Sequence, residues 1–322
     1  MHACNIRLVR MIGPVLRLVA VLAYVVCQLP CVCAPLYFGK CFFPAAHRFN
    51  HYLREIIPPL STGVLLLFFS INLSTQLTSK FPSRKPGVTR FLLMTHSSTL
   101  DFMVVTTAVW LVHRLMGSLV CIVKQELLNM PLMGMLQRGV GSIPVARSGD
   151  LEAAKRNLAI GEARAREGYA IAGFPEGSRR RSPSTGRDQL LPFKKGMFHM
   201  AKNLTTDGTK IQFIPLVMVG GNTAWPSKSL LPIPGSKVTV RIGEAIDMKD
   251  GESVDEMVVR VRVRMQDEIE RTGAIKKDGS YSVEAAHAKG EEVNLWAVYG
   301  LEAVLLTVPG LTVAYLALSG ML

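Results

Sequence analysis

Beyond residue 41 the chain has a single cysteine, Cys121; the other five (Cys4, Cys27, Cys31, Cys33 and Cys41) lie in or beside an apolar run near the amino terminus. A zinc site on Cys31-Val32-Cys33 needs partner ligands at compatible spacing, and no His or Cys pair elsewhere in the sequence offers them. A metal centre is therefore not expected. These cysteines read as small apolar residues of a membrane helix, with acylation open to one near the interface. No G-x-S-x-G occurs, which disfavours a serine hydrolase. There is no internal repeat and no long low-complexity tract. Acidic residues are few, 24 against 37 Lys and Arg, so the net charge is +13 and anionic partners are favoured. The basic residues are not interleaved with aromatics, which argues against nucleic acid as the partner.

At 322 residues the chain has room for a sizeable core. Its hydrophobic fraction of 49% and mean hydropathy of +0.27 exceed those of an ordinary soluble enzyme, and the excess sits near the two ends. Three segments are candidates for insertion. Residues 11–38 and 295–322 are long enough to span, whereas 56–73, which contains Val64-Leu65-Leu66-Leu67-Phe68-Phe69, is marginal. The first is longer than a signal-peptide core and has no clear small-residue cleavage site, so it reads as an uncleaved anchor. Basic residues flank the segments on both sides, and the positive-inside rule gives no orientation.

Between these ends the pattern is that of an alternating α/β domain. Short apolar runs at 90–94, 118–123, 140–145, 169–174, 211–219 and 237–242 predict strands. Residues 100–115, 125–137, 150–167, 195–204 and 253–271 predict helices; in the last, Val254, Met257, Val258, Val261, Met265 and Ile269 form an apolar stripe. The expected fold is a mixed, largely parallel sheet flanked by helices, with function on loops at strand ends.

One such loop is Thr95-His96-Ser97-Ser98-Thr99-Leu100-Asp101. On one continuous helix, His96 and Asp101 would point about 140° apart and could not touch. They can meet if His96 lies on the turn and Asp101 in the first helical turn, with Ser98 or Thr99 as N-cap. Such a pair suits activation of a hydroxyl: an imidazole removes its proton while a carboxylate holds the tautomer and stabilises the imidazolium. The run Arg179-Arg180-Arg181, with Arg187 behind it, reads either as a solvated loop or as a patch for anionic lipid or CoA phosphates.

The segment AGFPEGSRRRSPSTGRDQLLPFKKGMFHMA, Ala172 to Ala201, resembles the glycerolipid acyltransferase family that includes 1-acylglycerol-3-phosphate O-acyltransferase. His96, Ser98 and Asp101 match its H-x4-D block, and Gly141-Ser142-Ile143-Pro144-Val145-Ala146-Arg147 its second. Phe174-Pro175-Glu176-Gly177-Ser178-Arg179 matches the third and Ile214-Pro215-Leu216 the fourth. Lys124-Gln125-Glu126-Leu127 and Leu191-Pro192-Phe193-Lys194-Lys195-Gly196 add further similarity. Thr95 stands where many members have Asn, Pro144 where Phe is usual, and Ser178 where Thr is usual.

The resemblance implies transfer of a fatty acyl group from acyl-CoA to the free hydroxyl of 1-acyl-sn-glycerol 3-phosphate (lysophosphatidic acid), giving phosphatidic acid. His96 would be the base and Asp101 its orienter. Arg179 would hold the acceptor phosphate with Arg147 and Lys124 as helpers, and Glu176, Gly177 and Ser178 would shape the loop, Glu176 bonding the glycerol portion. Acyl-CoA enters as co-substrate, and no cofactor is implied. The implied organisation is 1–79 membrane-anchoring helices, 80–275 acyltransferase domain, and 276–322 linker and C-terminal membrane segment. The expected setting is integral to the endoplasmic reticulum membrane, catalytic domain facing the cytosol and membrane lipids as neighbours. Alternatives are another lysophospholipid or glycerol 3-phosphate as acceptor, a CoA-independent transacylase, or an inactive lipid-binding scaffold.

Overall fold

The computed structural model describes residues 62–77, 87–113, 119–130, 134, 137–145, 150–179, 190–226, 229, 231–275 and 280–300. The strands are β1 Asn72–Leu77, β2 Val88–Met94, β3 Leu119–Lys124, β4 Ile143–Val145, β5 Ala170–Gly173, β6 Lys210–Val219, β7 Lys237–Ile242, β8 Ile246–Asp247 and β9 Glu291–Glu292. The helices are α1 Asp101–His113, α2 Gln125–Asn129, α3 Leu151–Arg166, α4 Gly196–Thr205, α5 Gly221–Ala224, α6 Val254–Arg271 and α7 Val283–Ala288.

The strands form one mixed sheet in the order β4-β3-β5-β2-β6-β7-β1-β9, with β8 also on β6. From β4 to β6 every pairing is parallel, as strands joined through helices require. β7 pairs antiparallel with β6 and parallel with β1. The carboxyl ends of β2, β5 and β6 therefore share one edge of the sheet with the amino ends of β7 and β1.

Alternation along β2 divides the core. Phe91 and Leu93 face a layer closed by α3, α4 and α6, where Met257, Val261, Met265 and Ile269 are fully buried at helical spacing. Leu92 and Met94 face a second layer with Leu100, Val104, Val105, Ala108 and Val109 of α1. α6 opens on a capping box: the Ser253 hydroxyl accepts from the Glu256 amide, and the Glu256 carboxylate accepts from the Ser253 amide. Arg241 of β7 donates to Glu268 of α6 at 2.7 Å, joining helix and sheet inside the fold.

The predicted strands and helices are present with two local corrections. The helix expected over 125–137 stops at Asn129, because Met130 precedes Pro131 and takes an extended ψ of 137°; helical residues resume at 137–139. The strand expected from 140 starts at Ile143, since Gly141 has a φ of 79° that no strand accommodates. Pro144 sits on the edge strand β4, where a missing donor is tolerated.

The membrane expectation is corrected for one segment. From residue 62 onward, the apolar stretch 56–73 is a helical run over 62–68 that turns at Ser70 and enters β1. Val64, Leu66, Leu67, Phe69, Ile71 and Leu73 are buried with Leu295 and Tyr299 in the α1 layer. Its uniform hydropathy reflects burial within the domain. Among the described residues no helix is long and apolar enough to cross a membrane. Residues 11–38 and 301–322 lie outside the described residues.

Candidate active site

β2 delivers the chain to the sheet edge and ends at Met94. His96 follows on the turn, and α1 begins at Asp101. This is the one arrangement in which the two side chains can meet, and His96 Nδ1 lies 2.9 Å from Asp101 Oδ2. The same carboxylate oxygen accepts from the Ser97 amide and, at 2.8 Å, from the Ser98 amide. The Ser97 hydroxyl donates to Oδ1 at 3.4 Å. Ser98 is not the N-cap: its hydroxyl accepts from the Leu100 amide and donates to the Trp225 carbonyl, while the Leu100 carbonyl accepts the first helical bond, from Val104.

Asp101 is fully buried, and burial pushes its carboxyl above the usual range. The hydrogen bond from His96, the Ser98 amide, the His96 charge and the Ser97 amide oppose that push. A carboxylate so poorly hydrated gains from an imidazolium formed beside it. With Nδ1 held by Asp101, Nε2 is the ring nitrogen left for chemistry, and the side chain is 18% exposed.

Two further contacts fix His96. Phe174 stacks on the imidazole at a centroid distance of 4.0 Å and an interplanar angle of 20°. Glu176 Oε1 accepts from the His96 amide at 3.2 Å, and Oε2 from the Leu191 amide at 2.9 Å. Gly221, the first residue of α5, backs onto the Asp101 carboxylate: a Cβ there would lie 2.9 Å from Asp101 Oδ1 and 3.0 Å from Ser97 Oγ.

Phe174-Pro175-Glu176-Gly177 leaves β5, the neighbour of β2. Gly177 adopts a φ of 69°, which glycine takes without strain, and its amide donates to the Phe174 carbonyl. The turn points Glu176 inward, 2% exposed, and brings Ser178 and Arg179 to the surface. Arg179 Nη1 donates to Thr99 Oγ1 at 3.0 Å, so the guanidinium lies over the His96 turn.

His96, Asp101, Glu176 and Arg179, spread over the sequence, thus converge at one sheet edge. Lys124 is exposed at the carboxyl end of β3, two strands from β2, and no contact joins it to His96. Arg147, Arg180, Arg181 and Arg187 lie outside the described residues. Cys121 is buried, and burial pushes its thiol up, which suits packing and not chemistry. Among the described residues no cluster of three or more His, Cys, Asp or Glu side chains is arranged to hold a metal. Sequence reasoning gave no role to Phe174, Thr95 or Gly221. Phe174 opens a quoted motif, but stacking on a ring some eighty positions away leaves no local signal.

Residues 76–219, which hold His96, Asp101, Glu176 and Arg179, match the family model described as Acyltransferase. This stretch is an acyltransferase domain. Over 191 residues the chain is 29% identical to a 1-acyl-sn-glycerol-3-phosphate acyltransferase of Cocos nucifera, covering 59% of this chain and 55% of that protein. A protein of the same description from Limnanthes alba is 27% identical over 131 residues, 40% of this chain and 42% of its own length. The match thus spans about half of these curated relatives. The chain also shares its fold with the crystal structure of the 1-acyl-sn-glycerophosphate acyltransferase PlsC of Thermotoga maritima. The TM-score is 0.53 at 20% identity, covering 78% of this chain and 98% of that one.

Proposed function

We propose that the protein transfers a fatty acyl group from acyl-CoA to the free hydroxyl of 1-acyl-sn-glycerol 3-phosphate, forming phosphatidic acid and free CoA. The carrying observation is the buried Asp101 carboxylate 2.9 Å from His96 Nδ1, which leaves Nε2 as the proton acceptor. As Nε2 takes the acceptor's hydroxyl proton, the oxygen attacks the thioester carbonyl. The tetrahedral adduct collapses, the C–S bond breaks, and the CoA thiolate leaves with the proton returned from the imidazolium. Asp101 holds the ring and stabilises its charge throughout. No acyl-enzyme is needed.

Arg179 supports the choice of a phosphorylated acceptor. One guanidinium N–H is tied to Thr99, and the rest of the planar fork suits phosphate oxygens beside His96. Lys124 and Arg147 are the proposed helpers. Glu176, with both oxygens on backbone amides, shapes the loop in this reading and leaves the acceptor's glycerol to other groups. Attachment to the membrane of the endoplasmic reticulum, catalytic domain toward the cytosol, belongs to the same proposal and rests on the apolar sequences 11–38 and 301–322.

The test is acyl transfer from labelled oleoyl-CoA by the full-length, detergent-extracted protein, offered lysophosphatidic acid, glycerol 3-phosphate and choline, inositol and glycerol lysophospholipids. Phosphatidic acid should form from lysophosphatidic acid, and His96→Ala should lower kcat by about 10²–10⁴. Product from another acceptor alone would move the substrate. Transfer surviving in His96→Ala would overturn the base. Release of the chain from membranes by alkaline carbonate would overturn the integral attachment.

A further inference from the structure

β2 and β6 pair in parallel from Val88 opposite Lys210 to Met94 opposite Leu216. The Thr95 amide still donates to the Leu216 carbonyl at 3.0 Å. Were β2 to run on, His96 would stand opposite Met218, and the Met218 amide would meet a carbonyl of β2. The chain turns away instead: the His96 amide goes to Glu176 and its ring to Asp101. β6 continues to Val219, which leaves the Met218 amide facing the gap.

That gap is dry. Thr95 is fully buried and Met218 is 1% exposed, so an unpaired N–H there would be costly. Thr95 Oγ1 accepts from the Met218 amide at 2.9 Å. The hydroxyl sits on a β-branched Cβ, whose stiff χ1 holds it close to the backbone that leads into His96.

We propose that Thr95 is a positioning residue for His96. Its hydroxyl replaces the absent β2 carbonyl opposite Met218 and fixes the point where β2 leaves the sheet, and with it the place of the His96 ring. The kinetic consequence rests on the acyl-transfer reading; the hydrogen bond can be read without it.

Thr95→Val keeps the shape and puts a methyl where the acceptor was. The Met218 amide then regains a partner only if the turn shifts and carries His96 with it. Thr95→Ser keeps the acceptor. With lysophosphatidic acid and oleoyl-CoA, Thr95→Val should lower kcat about ten- to a hundredfold with KM within about twofold, because a shift of about 1 Å misaligns base and hydroxyl. Thr95→Ser should retain kcat within about threefold. Amide hydrogen exchange at Met218 should quicken at least about tenfold in Thr95→Val and stay at the wild-type rate in Thr95→Ser. If Thr95→Val does not fold, Thr95→Cys, nearly as small and a weaker acceptor, carries the same comparison.

Wild-type kcat in Thr95→Val, or an equal loss in Thr95→Ser, overturns the proposal. So does a Met218 amide that stays protected without the hydroxyl. If the wild-type protein transfers no acyl group, the functional reading fails while the exchange arm still decides: protection lost in Thr95→Val and kept in Thr95→Ser supports the role of the hydroxyl, and protection kept in both overturns it.

Discussion

The two faces of the sheet are closed by different kinds of sequence. On one, α3, α4 and α6 lay amphipathic stripes over Phe91, Leu93 and Phe213, with charged residues outward. On the other, α1, the run 62–69 and the helical residues from Leu295 to Gly300 cover Leu92, Met94 and Leu216 with segments that are apolar nearly throughout. Amphipathic closure announces itself by period. In α1 and 62–69 uniformly apolar closure resembles membrane sequence, because a helix covered on several sides and one in lipid both need apolar residues all round. In 295–300 Leu295 and Tyr299 pack inward while Trp296 and Val298 stay exposed. The site belongs to the uniformly apolar face: α1 starts with Asp101, and the Thr62 hydroxyl bonds Thr107 of α1 at 3.0 Å, placing the terminal closure directly behind the helix that carries Asp101.

The comparison predicts that stability and catalysis separate by face. Met265→Ala removes a fully buried side chain from α6 and should cost about 2–5 kcal/mol in denaturant unfolding, while the enzyme that stays folded keeps its kcat. A proportionate fall in kcat would show that the faces are coupled. Gly63→Ala addresses the other closure. Its Cβ would fall 2.2 Å from the Tyr299 ring, so it should cost about 1–3 kcal/mol by thermal unfolding in detergent, through overpacking. An unchanged midpoint would mean that 62–68 and 295–300 do not pack as described.

The smallest effect lies at Glu252, just ahead of the N-cap of α6. A hydrogen bond from Arg260 at 2.6 Å is the main reason its carboxyl is held below the usual range, against the opposing push of burial. A depressed folded-state pKa stabilises the fold above the unfolded carboxyl pKa, and this contribution is lost as pH falls through the folded value. Glu252→Gln should therefore destabilise by about 1–2 kcal/mol at neutral pH, and the gap to wild type should close in acid. A gap independent of pH would assign the loss to packing alone.

Much of the site was legible because its groups cluster in short motifs. His96 and Asp101 could be paired from strand end and helix start, since only a turn between them lets the side chains meet. The stripe of α6 fixed its buried face for a similar reason: a 3.6-residue period has one solution. β1 was not legible, because Asn72–Leu77 follows an apolar run with no turn residue other than Ser70, and its partners lie at Lys237–Ile242. The break of α2 follows a local rule, since the residue ahead of Pro131 is turned out of the helix; that Glu176 would turn inward to two backbone amides no spacing could foretell.

The sequence by itself determined the alternation of strands and helices, the placing of a histidine and a carboxylate at a strand-to-helix turn, and the excess of positive charge. These are local, set by period, turn chemistry and residue type. Only the tertiary structure decided that Phe174 stacks on His96, that Arg179 reaches Thr99, that Thr95 serves Met218, and that residues 62–73 bury themselves in the domain. Each depends on strands brought side by side from distant parts of the chain, and parallel pairing in a sheet of this order leaves no trace in the spacing of any one segment.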